Sequence, residues 1–109
     1  MEFNLAEKLG ILKAVDQVIL ADDKIYEGEA IFVSQLSNVL GFSAEIYRKA
    51  REIEYEEAMG ILRAMSNDKK DALAIMLNEA ANADGRVGEE ELKTIYRIFA
   101  CIDIQFEEI

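Results

Sequence analysis

The chain contains no His, no Trp and no Pro, and it has one Cys among 109 residues. Without His, a Ser-His or Cys-His nucleophile pair and an imidazole zinc ligand are excluded. One Cys excludes an internal disulfide and a Cys-rich metal site. Gly is sparse, with six scattered residues and no Gly-rich phosphate loop. Positive charge is also scarce, with 12 Lys and Arg against 22 Asp and Glu, a formal net charge of −10. Duplex recognition draws its affinity from Lys and Arg on phosphates, so nucleic acid is not an expected partner, and an anionic membrane surface is disfavoured on the same ground. The longest uncharged stretch, Ile31 to Ala44, is interrupted by Ser34, Gln35, Ser37, Asn38 and Ser43, and falls short of the about 20 apolar residues of a transmembrane helix. The start Met-Glu-Phe-Asn lacks the basic and apolar regions of a signal peptide. With a lone thiol, the expectation is a cytoplasmic protein.

What the chain does have is apolar content of 51%, enough for a folded domain. Abundant Ala, Leu, Glu and Lys without Pro predicts helices throughout. From Phe3 to Ala21, Leu5, Leu9, Leu12 and Ile19 share a face that Val15 and Val18 widen, a 3.6-residue period. A second helix is expected from Glu27 to Leu40, with Phe32, Val33, Leu36, Val39 and Leu40 inward and Gly41 as its stop. Ser43 offers an N-cap for a third, through Glu52. A fourth covers Tyr55 to Met65, with Met59, Leu62 and Met65 inward. Asn67 or Asp68 is expected to cap a fifth, which reaches Asn82 through Leu73, Met76, Leu77 and Ala80. A sixth starts near Glu89, with Leu92, Ile95, Ile98, Phe99 and Ile102 on one side, and the run Cys101 to Phe106 is ambiguous. The expected fold is all-α, one domain over residues 1–109, with five to seven helices. Glu52, Glu54, Glu56 and Glu57 read as a solvated helix junction. Tyr26, Tyr47, Tyr55 and Tyr96 read as core-edge aromatics, and Met59, Met65 and Met76 as gap fillers. Cys101 reads as an inert thiol at the flank of the last helix.

The sharp motif is a repeat. Ala21-Asp22-Asp23-Lys24-Ile25-Tyr26-Glu27-Gly28-Glu29 aligns with Ala83-Asp84-Gly85-Arg86-Val87-Gly88-Glu89-Glu90-Glu91 at a constant offset of 62 residues. Beyond it, Val33 meets Ile95, Leu36 meets Ile98 and Leu40 meets Ile102, which implies two related helix-loop-helix units. At about 100° per residue, Glu29 and Glu91 fall on the apolar stripes of their helices, while Glu27 and Glu90 face away. An inward carboxylate must find donors or a cation. Two readings follow. In one, Glu29 and Glu91 are third-position acids that accept backbone N–H groups, with Asp22 and Asp84 closing turns. In the other, Asp22, Glu29, Asn82, Asp84 and Glu91 are oxygen ligands for Ca²⁺ or Mg²⁺. Asn82, Asp84, Gly85, Val87 and Glu91 half-fit an EF-hand register, but Ala80 occupies its first place, and Val18 and Leu20 occupy ligand places in the first unit. A cation is therefore expected to bind weakly, if it binds.

The pattern Ala-Asp-Gly-x-Val-x-x-x-Glu, with its earlier copy around Asp22, resembles the TerB-like (tellurite resistance protein B) family from Leu9 to Ile104. The resemblance implies a helical bundle of bacterial stress, metal-oxyanion resistance or phage-defence contexts. It also implies a divalent-cation site at Asp22, Glu29, Asp84 and Glu91. Asp23 stands where Gly85 stands in the second copy, a departure from the residue best suited to φ > 0. The resulting expectation is a non-enzymatic, cytoplasmic module that binds a partner protein or a divalent cation in a stress-related pathway. Its rival is a metal-independent interaction or scaffold domain, such as a homodimer, whose acidic loops are caps.

Overall fold

A computed structural model describes residues 2–22, 27–82 and 88–102, with side chains left aside at 22 and 27–30. Among the described residues there are six α-helices and no strand, as the periodicity implied. They are α1 Leu5–Ile19, α2 Glu27–Leu36, α3 Ala44–Glu52, α4 Tyr55–Arg63, α5 Asn67–Ala81 and α6 Glu89–Cys101. A 3₁₀ turn, Leu20–Asp22, extends α1, and a π-helical turn, Ser37–Gly41, continues α2.

The central element is α1, which touches α3, α4, α5 and α6. Its Ile11, Leu12, Ala14, Val15 and Val18 are wholly shielded from solvent, so its buried arc is wider than a one-sided amphipathic stripe. Gly10 lets α4 approach: a Cβ there would sit 3.1 Å from Leu62 Cδ2 and 3.4 Å from the Ala58 carbonyl oxygen. The α1 start is a capping box, in which Asn4 Oδ1 accepts from the Glu7 N–H (2.8 Å) and Glu7 Oε1 accepts from the Asn4 N–H (2.9 Å). Ser43 caps α3 as expected, accepting from the Ile46 N–H. For α5 the cap is Ser66, one residue before the expected Asn67, because its hydroxyl reaches the Lys69 N–H. Arg63 Nε donates to the Cys101 carbonyl (2.9 Å), fastening α4 to the free carbonyl end of α6.

Three apolar residues depart from their expected burial. Val39 is 81% exposed, although an unbroken α-helix places it inside. The π turn carries more residues per turn, so Val39 lags behind its α-helical phase and Leu40 takes the inward position. The turn ends at Gly41 with φ of 77°, a left-handed conformation suited to Gly. Leu5, in the first turn of α1, is exposed while Phe3 packs on the core instead. Leu92 is at the uncovered flank of α6, whose packing is carried by Ile95, Ile98, Phe99 and Ile102. Of the repeat pairs, Leu36 and Ile98, and Leu40 and Ile102, are buried in both units. The acids Glu52, Glu54, Glu56 and Glu57 are exposed.

Candidate functional site

The acidic heads are only partly within the described residues. Asp84 lies outside them, as does Asp23, and the side chains of Asp22 and Glu29 are not described. Asn82 is the C-cap of α5; it is exposed, and its amide donates back to the Asn78 carbonyl at 2.8 Å. Glu91 is 3% exposed and sits at the third position of α6, as its phase required. Its Oε1 accepts from the Gly88 N–H at 3.1 Å. A side chain at position 88 would crowd that oxygen, since a Cβ there lies 3.1 Å from it. Glu91 thus acts as a cap at the positive end of the helix dipole. Ala80 and Val18, which occupy EF-hand ligand places, are in the core. Among the described residues no group of three or more His, Cys, Asp or Glu is placed to hold a metal.

Two buried carboxylates that the sequence reading passed over are fully engaged elsewhere. Glu7 holds Lys69 of α5 through both oxygens, at 2.8 and 3.0 Å. The Lys69 ammonium, followed by the Asn4 N–H, holds its carboxyl below the usual carboxylate range, against the opposing effect of burial. The ammonium also lies 5.7 Å from the Phe3 ring centroid. Asp16 of α1 accepts from the Tyr47 hydroxyl (3.0 Å) and from Arg51 Nε (3.2 Å), both on α3. The Arg51 guanidinium stacks 5.1 Å from the Tyr47 ring. Burial first, and then the Asp16 charge, push the Tyr47 phenol above its ordinary range. Tyr47 is therefore a hydrogen-bonding partner and not merely an edge aromatic. The signals were present in Asn4-x-x-Glu7 and in an Asp one residue from Val15 on an apolar helix, but their partners lie 31 to 62 residues away. Both clusters tie α1 to its neighbours, Glu7 to α5 and Asp16 to α3. Cys101 is half-buried beside Tyr55, whose buried hydroxyl is pushed above its ordinary range by burial and then by the thiol.

The concave apolar surface lies on a different face. Two adjoining depressions of about 340 Å³ each flank α5. The first, toward α2, is walled by Phe32, Leu36, Val39, Ala72, Ile75 and Met76, with Glu79 at its edge. The second, toward α6, is walled by Ile75, Leu92, Ile95, Tyr96 and Phe99. Ile75 is 61% exposed and forms the shared wall; Tyr96 is 56% and Leu92 39% exposed. Ile31 of α2 is 52% exposed, one turn from Gln35 of the first depression.

No protein-family model matches the chain, and no curated protein matches it. Among solved structures it is similar to a crystal structure of a protein of unknown function from Porphyromonas gingivalis W83. The two share 21% identity over 98% of this chain and 84% of the other, with a TM-score of 0.81. At that identity the likeness establishes the helical fold and nothing of its use.

Proposed function

We propose that this chain is a non-enzymatic, TerB-like protein-interaction module of the cytoplasm, acting in a bacterial stress or metal-oxyanion resistance context. The observation that carries the interaction is the apolar face of α2, α5 and α6, where Val39, Ile75 and Leu92 stand exposed beside two depressions. Clustered apolar side chains around a concavity are a signature of protein–protein contact, whereas singly scattered ones are not. The missing His and the lone Cys support a role without catalysis. The repeat around Asp22 and Asp84 supports the TerB-like reading. The Glu91 cap favours the form of this reading in which acidic heads are structural.

A divalent cation is the second reading, supported by a buried carboxylate at the head of α6 beside the Asp84 motif. Its affinity for Ca²⁺ or Mg²⁺ is at the weak end, about 10⁻⁴ to 10⁻³ M, because Ala80 removes a ligand. Two experiments test the proposal. A photo-crosslinking residue at position 75, compared with one at the exposed Glu56 of α4, is expected to give discrete adducts in cells only at 75. Adducts at neither position refute the interaction reading. Calorimetric titration with Ca²⁺ at matched ionic strength is expected to show no saturable heat. A saturable heat that disappears in Asp84→Asn with Glu91→Gln makes the cation reading the correct one.

A further inference from the structure

Resting on the interaction reading above, we infer that the α2–α5–α6 face docks a cationic amphipathic helix of a partner protein, which straddles Ile75 and sets apolar side chains into both depressions. The shape argues for a helix. The two depressions lie on opposite sides of one ridge, with Ala72 and Met76 of α5 facing the first and Ala74 and Asn78 facing the second. Apolar side chains spaced i, i+3 or i+4, and i+7 on an incoming helix fill such paired hollows as ridges fill grooves. No strand edge exists among the described residues to recruit an extended peptide.

The charge argues for a basic partner. Along the exposed ridge of α5, Asp71 stands one turn before Ile75 and Glu79 one turn after it, and Asp68 shares the same side. On α6 the exposed Lys93 is paired with Glu89 (3.5 Å) and Glu90 (3.6 Å). The apolar hollows are thus rimmed by acid, on a chain of net charge −10. A second copy is the disfavoured occupant. In a two-fold dimer the Asp71–Glu79 ridge faces its own duplicate, and each copy brings the same −10. Anionic lipid and nucleic acid are repelled by the same rim. Lys and Arg flanking the apolar stripe of a partner helix complement it, which accelerates encounter and fixes orientation.

The test is a selection on the intact chain. The probe is a displayed library of helical peptides with apolar residues fixed at i, i+3, i+4 and i+7 and flanking positions randomised among Lys, Arg, Glu, Asp and Gln. Enriched peptides are expected to carry net positive flanks. Their binding, read by fluorescence anisotropy, is expected to weaken about tenfold or more in Ile75→Asp and in Asp71→Lys with Glu79→Lys, and to weaken with added salt. Helical circular dichroism identical to the parent shows that these exposed substitutions leave the fold intact. The inference is overturned by enriched flanks that are neutral or acidic, by unchanged affinity in the folded variants, or by no enrichment over a bare support. It is also overturned by a dimer in sedimentation that Ile75→Asp dissociates, which makes a second copy the occupant. Crosslinked adducts at position 75 together with a failed selection refute the cationic helix while leaving the interaction reading standing.

Discussion

Replacement of Asp16 by Ala is expected to be among the more damaging single changes outside the apolar core. Asp16 is 3% exposed and its Oδ1 serves both the Tyr47 hydroxyl at 3.0 Å and Arg51 at 3.1 to 3.2 Å. A hydrogen bond to a charged acceptor contributes about 1.5–3 kcal/mol. The Arg51 side chain is 57% exposed, so its pairing is screened and adds at most about 1 kcal/mol. The loss in Asp16→Ala is therefore about 1.5–4 kcal/mol. A chain of 109 residues shifts by roughly 4 °C per kcal/mol, giving a fall in Tm of about 6–16 °C by thermal circular dichroism. Asp16→Asn, which keeps an acceptor for the phenol without the charge, is expected to lie between wild type and Ala. A double-mutant cycle with Tyr47→Phe isolates the pair, and a coupling energy of about 1 kcal/mol or more is expected. The phenol provides a second readout. Its pKa is raised in the folded state, so its contribution is complete below the ordinary tyrosine value of 10.0 and is lost as pH climbs beyond it. In Asp16→Ala the charge and the hydrogen bond disappear while burial remains, so Tyr47 ionises at lower pH, seen as phenolate absorbance relative to a Tyr47→Phe blank. A Tm fall below about 2 °C with coupling under about 0.5 kcal/mol shows that α1 and α3 are held by apolar packing alone.

Glu7→Gln weakens the link from α1 to α5 by about 1.5–3 kcal/mol at neutral pH. Because the Glu7 carboxyl is held below its ordinary 4.5, that advantage is complete above this value and declines as pH falls through the lowered pKa. The Tm gap between wild type and variant must then narrow on acidification, and a constant gap contradicts the assignment. Gly10→Ala gains about 0.5–1 kcal/mol of helix propensity, but pushes a Cβ to 3.1 Å from the buried Leu62, at a strain cost of about 1–3 kcal/mol. The net expectation is a lower urea midpoint, and a higher one means that Leu62 yields freely. Glu91→Ala removes the cap on α6 and is expected to cost about 1 kcal/mol, with Glu91→Gln closer to wild type. Equal denaturation midpoints for all three proteins mean that the Gly88 N–H gains nothing from the carboxylate.

Local chemistry determined much of this protein before any folding. The lack of Pro, the 3.6-residue spacing of Leu12, Val15 and Ile19, and the caps at Ser43 and near Asn67 are properties of short windows, so the helices were legible within a residue or two. The inward phase of Glu91 was legible for the same reason, since a residue three positions into a helix is oriented by rotation per residue alone. The repeat around Asp22 and Asp84 was legible as a pattern in the chain, although Asp84 and the side chains of Asp22 and Glu29 lie outside what the structure describes. Tertiary structure decided what depended on distant partners. It engaged Glu7 with Lys69 and Asp16 with Tyr47 and Arg51, because a buried charge takes whichever donor the packing brings, and sequence spacing of 31 to 62 residues carries no such information. It turned Val39 outward through a π turn, a change of helical pitch that no hydrophobic pattern announces. It also left Ile75 and Leu92 bare between helices, since a stripe of apolar residues specifies that a face is greasy but not whether a neighbour covers it.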